Sequence, residues 1–428
     1  MEIDLSNPFI LFAGENGMGK TYAASFIYTL TRYFAASLFP INKDNEYPFE
    51  NQTSSPNGIS GTINPDALHD YVSDTVSCDA TKKTILAILN LNVLPEKFNC
   101  EVVTTKEAFR EQIRSADINI LGIRKEKGSF EYSIQYPDLD IKGNESFLDR
   151  KGIESFEYSL FIAALVLDGV IGAHMFTAER NGIYTFSKEI AVGRLRMPEV
   201  GTASRYPAPI ADGLANAEDI KHAKKQQSDG FGDLANEIED RILHGKLSID
   251  KDGDIKFSTT THKRLDINES SSTVKTLAPL IFYLRHWSDR QNLLIIDEPE
   301  LNLHPKNQVL LTRIFVKMVN AGIRLVISTH SDYIIREINN AIMANELTKY
   351  NDRVVEEFEY DTTLCLAKEK FQPYLFRTAK GRVNVEPLPV DKFGFSMPSI
   401  DETIDKQNEI TNALYETLKY NHSENHDA

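Results

Sequence analysis

The glycine-rich stretch between residues 14 and 21 constrains the fold of this chain more than any other feature. It consists of Gly-Glu-Asn-Gly-Met-Gly-Lys-Thr and matches the pattern G-x-x-x-x-G-K-[ST]. A short apolar run, residues 9–13, precedes it, and a helical pattern from about residue 20 to residue 38 follows it. Glycines let the backbone curl so that successive N–H groups point inward, and the positive end of the following helix attracts anions. The sequence therefore predicts a buried strand, a phosphate-binding loop and a helix.

The residues of this loop have distinct expected roles toward a nucleoside triphosphate. Lys20 should reach the β- and γ-phosphates, and the Thr21 hydroxyl should bind Mg²⁺. The alternative is an ordinary glycine-rich turn between a strand and a helix, without a ligand. The loop residues expected to surround the phosphates are Gly14, Asn16, Gly17, Met18, Gly19 and Lys20.

Two further apolar runs end in polar residues that suit nucleotide chemistry. Residues 292–299 consist of Asn-Leu-Leu-Ile-Ile-Asp-Glu-Pro, so that a strand ends in Asp297 and Glu298. We expect Asp297 to hold the water shell of Mg²⁺ and Glu298 to act as general base toward the attacking water. Residues 325–328 form the second run, and His330 follows at the end where open α/β sheets bind ligands. The alternatives are a surface Asp-Glu turn and a structural histidine.

The alternation of apolar runs with helical patterns predicts the fold class. Continuous apolar strands followed by helices are typical of a mostly parallel sheet that is covered on both faces. Residues 41–62, rich in Asn, Pro, Ser and Gly, indicate a long surface loop. Asp252-Gly253 between two alternating runs predicts a hairpin over residues 246–257, with a calcium loop as the alternative. We assign a nucleotide-binding core to residues 1–40 and 151–345, an inserted α+β lobe to 60–150, a helical insertion plus β-hairpin to 205–260, and a C-terminal region that completes the core to 346–428.

Composition excludes several classes of protein. Lys and Arg number 47 against 62 Asp and Glu, a net charge of −15, so the surface as a whole is not a DNA clamp, and a local basic groove stays open. Three distant cysteines, Cys78, Cys100 and Cys365, fit a reducing cytosol better than a disulfide framework. The most apolar stretch, residues 159–176, carries Asp168 in its middle, which argues against a membrane span. We therefore expect a cytoplasmic protein without membrane contact.

The three motifs together resemble one branch of P-loop ATPases. This is the ATP-binding-cassette branch that includes chromosome-maintenance and recombination-repair heads and the ATPase of overcoming-lysogeny-defect nucleases. The resemblance lies in Asn16 and Gly17, in residues 297–305 (Asp-Glu-Pro-Glu-Leu-Asn-Leu-His-Pro) and in residues 327–331 (Ile-Ser-Thr-His-Ser). It implies ATP and Mg²⁺ as cofactors, His330 as the switch histidine at the γ-phosphate, and two subunits that enclose ATP between them.

The resemblance also implies a signature segment, which opens a helix and caps ATP on the opposite subunit. The candidate is residues 270–277, Ser-Ser-Ser-Thr-Val-Lys-Thr-Leu, with Ser271, Ser272 and Lys275 as the contacting residues. Serine hydroxyls and the amides at a helix N-terminus are suitable donors to a γ-phosphate. Relatives often carry glycine at the place of Thr273. A polar run that merely caps the helix is the alternative.

A fourth stretch resembles a subgroup of ATPases from prokaryotic anti-phage systems, such as those of the PARIS and Septu types. Residues 176–183, Phe-Thr-Ala-Glu-Arg-Asn-Gly-Ile, carry this resemblance, and it places Glu179 or Arg180 near the nucleotide. It implies a sensor or regulatory subunit that forms an ATP-dependent dimer or higher oligomer and controls a separately encoded effector. A nucleic acid or a phage protein is the expected trigger. The alternatives are a repair-type ATPase that binds DNA directly and a nucleotide-dependent scaffold with negligible hydrolysis.

Overall fold

The computed structural model describes most of the nucleotide-binding core and parts of the inserted lobe. The sequence also predicts helices over 106–114 and 153–170 and strands at 102–103 and 118–123, and apart from residues 106–107 and 170 these ranges lie outside the described residues. Residues that the structure describes are 3–38, 49–55, 58–63, 65–77, 106–107, 124–126, 129–135, 170, 172–183, 185, 206–223, 231–251, 253–261, 263–290, 292–350, 357–379 and 382–424.

The described residues form strands and helices, several of the strands following one another directly. The strands are β1 (Phe9–Gly14), β2 (Phe49–Ser55), β3 (Gly58–Ile63), β4 (Arg124–Glu126), β5 (Ser129–Gln135), β6 (Gly172–Phe176), β7 (Gly245–Ile249), β8 (Ile255–Thr259), β9 (Arg264–Asp266), β10 (Asn292–Asp297), β11 (Arg324–Ser328), β12 (Phe371–Ala379) and β13 (Arg382–Pro387). The α-helices are α1 (Lys20–Leu38), α2 (Pro65–Ser77), α3 (Ala208–Ala223), α4 (Gly232–Ile238), α5 (Ser272–Phe282), α6 (Pro305–Asn320), α7 (Asp332–Leu347) and α8 (Pro398–Glu424).

The main sheet has six strands in the order β13-β12-β1-β11-β10-β6. Neighbouring strands run parallel except β13, which pairs antiparallel with β12. The predicted fold class, a mostly parallel sheet with helices, is confirmed. The expected strands β1, β10 and β11 lie side by side at its centre, so their carboxyl ends meet at one edge.

Each face of this sheet has its own hydrophobic core, which explains why the central strands are apolar throughout. Side chains alternate along β1: Phe9 and Leu11 enter one core, and Ile10 and Phe12 enter the other. The first core contains residues of α4, α5, α6 and α7, and the second contains residues of α1. A strand buried on both faces needs a continuous apolar sequence rather than an alternating one. Helix α3 packs against β6 and α1.

Two smaller sheets differ in how well the sequence anticipated them. The hairpin predicted over 246–257 is confirmed as β7 and β8, and β9 adds a third strand. Here the Lys256 ammonium approaches the carboxylates of Asp250 and Asp254 at 3.8 and 4.0 Å, which favours the hairpin over a calcium loop. The other sheet has the order β2-β3-β5-β4.

The expectation of a loop throughout residues 41–62 is wrong, because β2 and β3 occupy much of that range. Their sequences contain Asn and Gly, which are depleted in strands, and the pairing of β2 with β3 and of β3 with β5 supplies hydrogen bonds that the sequence does not predict. None of the helices in the described ranges has both the length and the hydropathy of a membrane span.

Candidate nucleotide-binding site

Four strands deliver their last residues to one edge of the main sheet. Asp297 at the end of β10 pairs in register with Ser328 at the end of β11, and Ser328 also pairs with Phe12 of β1. On the other side, β6 ends at Phe176 beside Ile296. The carboxyl edge of a parallel sheet is where open α/β folds bind ligands. The three sequence motifs therefore converge on one site.

The loop after β1 depends on glycine at three positions. Gly14, Gly17 and Gly19 have φ angles of 136°, 78° and 85°, a region that other residues rarely adopt. Gly14 has a second constraint, because a Cβ there would lie 2.1 Å from the carbonyl oxygen of Phe376 in β12. The loop thus turns into α1 while β12 passes close behind it.

Lys20 is held inside this loop by backbone oxygens. Its ammonium donates to the carbonyls of Gly14 at 2.9 Å and Glu15 at 2.8 Å, and the residue is 6% exposed. Burial lowers the pKa of Lys20, while the nearby charge of Glu298 opposes that shift. A lysine anchored this way presents a fixed positive charge to the concave side of the loop.

Thr21 and Asp297 form a corner of oxygen atoms suited to Mg²⁺. The Thr21 hydroxyl donates to Asp297 Oδ2 at 2.9 Å, and Ser328 Oγ donates to Asp297 Oδ1. Asp297 is 2% exposed, so its carboxylate is fixed by these partners. Mg²⁺ prefers hard oxygen ligands and commonly uses one or two protein groups together with phosphates and water. The residues present therefore fit a magnesium ion.

Glu298 has an unusual backbone and an environment that raises its proton affinity. Its φ is 46°, and its N–H donates to the Ser328 carbonyl at 3.0 Å. Burial raises the pKa of Glu298, and the neighbouring charge of Asp297 raises it further against the charge of Lys20. A base with a raised pKa accepts a proton from water more readily than an ordinary glutamate. Backbone strain of this kind recurs at functional sites.

His330 lies within reach of Glu298. Its Nε2 is 3.9 Å from Glu298 Oε1, and its backbone N–H donates to Glu300 Oε1 at 2.7 Å. Burial lowers the pKa of His330, and the charge of Lys20 lowers it further, so the ring is neutral at neutral pH. A neutral ring has one donor and one acceptor nitrogen, which suits contact with both a phosphate oxygen and water.

Two residues of this edge had no role in the sequence-based prediction. Ser328 contacts both members of the carboxylate pair, Asp297 and Glu298. Glu300 holds the backbone of His330 through one carboxylate oxygen, and burial raises its pKa. Both lie inside stretches that carry the family resemblance, yet their importance arises from strand register, which the motif alone does not reveal.

Arg180 lies beneath the carboxylate pair rather than on the surface. It is 4% exposed and donates to four backbone carbonyls. Burial lowers the pKa of Arg180 to about 10, and the surrounding carboxylates oppose that shift. Glu179, by contrast, is exposed beyond the end of β6. That Glu179 or Arg180 contacts the nucleotide stays a prediction.

The candidate signature residues lie at the N-terminus of α5. Ser271 caps this helix, with its hydroxyl accepting from the Val274 N–H at 3.3 Å, and both Ser271 and Ser272 are exposed. Lys275 donates to the Asn268 carbonyl at 2.9 Å. Ser271 thus caps the helix, and the side chains of both serines remain at the surface.

Comparison with known proteins supports a nucleotide-hydrolysing class of protein. Residues 209–335 match the model of a family described as AAA ATPase domain, a range that contains the signature candidate, both carboxylates and His330. This part of the chain is similar to that family, and the phosphate loop at residues 14–21 lies outside the matched range. A search of the curated proteins gave no significant match.

Solved structures similar to this chain include heads of chromosome-maintenance proteins. The SMC head domain from Thermotoga maritima is 10% identical with a TM-score of 0.33, covering 91% of this chain and 93% of that one. A head bound to the C-winged helix domain of ScpA is 11% identical with a TM-score of 0.34, covering 90% and 91%. A head with an extended coiled coil, bound to the C-terminal domain of ScpA and derived from Pyrococcus furiosus, is 12% identical with a TM-score of 0.33, covering 94% and 93%. Likeness at this level carries no argument about activity or partners.

Proposed function

We propose that this chain is a Mg²⁺-dependent ATPase that closes on ATP as a dimer. The observation that carries the proposal is the convergence of Lys20, Thr21, Asp297, Glu298 and His330 at one sheet edge. Within that convergence, the Thr21 hydroxyl contacts the Asp297 carboxylate, and Glu298 lies beside His330. Phosphate loop, metal corner and general base are the parts that phosphoryl transfer to water requires.

The chemistry assigned to these residues is hydrolysis of the terminal phosphoanhydride. A water oxygen attacks the γ-phosphorus, the bond to the β-bridging oxygen breaks, and the water proton passes to Glu298. Lys20 and the loop amides stabilise the charge that gathers on the leaving diphosphate. Thr21 and Asp297 would hold Mg²⁺, which would supply positive charge beside the phosphates. A neutral His330 orients the γ-phosphate oxygen and the water without competing for the proton.

The accessible N-terminus of α5 supports the proposal of closure as a dimer. Ser271 and Ser272 are exposed there, with the positive end of the helix behind them. A second copy that presents ATP to this end would complete its site with groups from this one. Lys275 and the two serines are the residues that we assign to this cap.

At the level of the cell, we propose a sensor or regulatory subunit of an anti-phage defence system. Its partners would be a second copy of itself and a separately encoded effector, with a nucleic acid or a phage protein as trigger. The support is the resemblance of residues 176–183 to that subgroup. A repair-type ATPase that binds DNA directly is the competing function.

Two experiments test these proposals. Purified protein should release phosphate from ATP with Mg²⁺ and not with excess chelator, and absence of Mg²⁺-dependent release would refute the ATPase. For the cellular role, cells should resist phage when they express the chain together with its neighbouring gene, and not when they express it alone. Direct DNA binding that weakens steeply with salt would instead favour the repair-type function.

A further inference from the structure

Arg180 connects three segments that contribute to the site. Its Nη1 donates to the Thr177 carbonyl at 3.1 Å and to the Asp297 carbonyl at 2.7 Å, and its Nη2 donates to the Glu298 carbonyl at 2.9 Å. Its Nε donates to the Thr276 carbonyl in α5 at 3.3 Å. One guanidinium therefore bonds to the end of β6, to the carboxylate pair and to the candidate signature helix.

The contacts to the carboxylate pair fix the backbone on both sides of Glu298. The carbonyls of Asp297 and Glu298 belong to consecutive residues, and the planar fork of an arginine can hold both in one geometry. The φ angle of Glu298 is 46°, a backbone conformation that residues other than glycine rarely adopt. Buried carbonyls that lose their donor are costly, so the guanidinium favours this backbone shape. The direction of the Glu298 side chain therefore depends on Arg180.

A second set of hydrogen bonds connects the signature helix to the loop that follows Glu298. Asn302 Nδ2 donates to Thr276 Oγ1 at 3.1 Å, and Thr273 Oγ1 donates to the Asn302 carbonyl at 2.9 Å. Thr276 thus meets Arg180 through its carbonyl and Asn302 through its hydroxyl. A displacement of α5 would move both contacts together.

We propose that Arg180 is a positioning residue that couples occupancy of the signature helix to the placement of Glu298. This inference rests on the proposed ATPase function. When ATP of a second copy docks at Ser271 and Ser272, α5 shifts, and Arg180 transmits the shift to the backbone of Glu298. Hydrolysis in one site thereby depends on the nucleotide in the other, which is a coupling free energy between two sites.

The test compares two Arg180 variants with a matched arginine variant elsewhere. Arg180→Met removes all four hydrogen bonds, and Arg180→Lys keeps the charge without the planar fork. Arg313→Met is the control, because Arg313 is a mostly buried arginine that binds Glu337 and stacks over Tyr360, away from the site residues. Each protein is measured for nucleotide affinity, kcat, the Hill coefficient for ATP and thermal unfolding.

We expect Arg180→Met to bind nucleotide as the wild type does and to lose kcat by about 10-fold or more, because a displaced general base accepts the proton less effectively. Its Hill coefficient should fall to that of independent sites, and Arg180→Lys should give the same pattern with a smaller loss. Arg313→Met should unfold at a lower temperature and keep both kcat and the Hill coefficient. Loss of nucleotide binding in both Arg180 variants would refute positioning in favour of a structural role.

A double-mutant cycle separates coupling from independent damage. If Arg180 transmits the state of the signature helix, the kcat losses of Arg180→Met and Ser272→Ala should not add in the double variant. Additive losses would refute the coupling. If the wild type hydrolyses ATP and Arg180→Met has the same kcat and Hill coefficient, the coupling is refuted and the ATPase function stands. Absence of wild-type turnover would refute the ATPase and the coupling together.

Discussion

Glu298 lies between the positive charge of Lys20 and the negative charge of Asp297, and burial decides which influence prevails. Desolvation and Asp297 together raise the pKa of Glu298 against the effects of Lys20 and Arg180. The side chain is 32% exposed, so water still reaches it. This combination suits a general base, because the group must be ionised at working pH and still accept a proton strongly.

The raised pKa predicts the acid limb of the pH profile. A general base works only when it is deprotonated, so kcat/KM should fall as pH decreases through the pKa of Glu298 in the free enzyme. The midpoint should lie above the ordinary glutamate value of 4.5. Steady-state rates across a range of pH measure this midpoint.

His330 has a lowered pKa and is the competing source of this acid limb. The His330→Gln variant should therefore keep the limb, and its disappearance there would reassign it to His330.

Substitution of the two charged residues should separate binding from chemistry. Glu298→Gln should retain ATP and lose turnover by about 10²-fold or more, because the amide cannot accept the proton. Lys20→Ala should lose ATP binding, because the substitution removes the positive charge that the loop would present to the phosphates. Fluorescent-nucleotide titration and phosphate release measure the two effects. Glu416→Gln, an exposed change in α8, is the control. Normal turnover in Glu298→Gln would exclude it as the base.

At the scale of elements, strong local signals account for what the sequence could predict. The motif and its flanking apolar run predicted β1 and α1, and α1 has the predicted bounds, Lys20–Leu38. Helix α6 has a local signal too, because Pro305 lies in its first turn, a position that favours proline. Strands β12 and β13 were not anticipated, and β12 contains Pro373, a residue that argues against a strand inside a sheet. It is tolerated because β13 pairs with β12 only from Tyr374 onward.

The site shows the same division between local and non-local information. Lys20, Thr21, Asp297, Glu298 and His330 could be named from the sequence because each has a fixed place in a local motif. Contacts made by Ser328, Glu300 and Arg180 could not be assigned, because they depend on which strands become neighbours. Register between β10 and β11 brings Ser328 to Asp297 although 31 positions separate them.

Because β1 and β12 approach closely at Gly14, we expect one added methyl group there to lower the free energy of unfolding substantially. Gly14→Ala would place a Cβ 2.1 Å from the Phe376 carbonyl oxygen at a φ of 136°. We expect a loss of about 2 kcal/mol or more in the free energy of unfolding, the range typical of strain combined with steric overlap. Chemical denaturation measures it. Gly182→Ala is the matched control, because nothing lies within 4 Å of its added Cβ. Equal stability of the two variants would contradict the close approach of β12.

At the scale of the whole molecule, charge opposes association of two copies. Each chain carries a net charge of −15, and bound nucleotide adds more negative charge. A dimer therefore needs specific contacts that favour anions at its centre. We propose that the N-termini of α1 and α5 provide such contacts, because the amide groups and the positive end of a helix attract phosphate. Closure should consequently require nucleotide rather than precede it.

This reasoning predicts how the mass of the protein responds to ATP. Glu298→Gln binds ATP without consuming it, so it should change from monomer to dimer, or to a higher oligomer, when ATP and Mg²⁺ are added. The double variant Glu298→Gln, Ser272→Arg should remain monomeric when ATP is added. Its ATP affinity should be normal, because the arginine blocks contact of α5 with the ATP of a second copy and leaves the phosphate loop of the same chain unchanged. Sedimentation velocity measures the mass. Ser248→Arg is the matched control, since Ser248 is exposed on β7. ATP-driven association of the Ser272→Arg protein would place the dimer contact elsewhere than the N-terminus of α5.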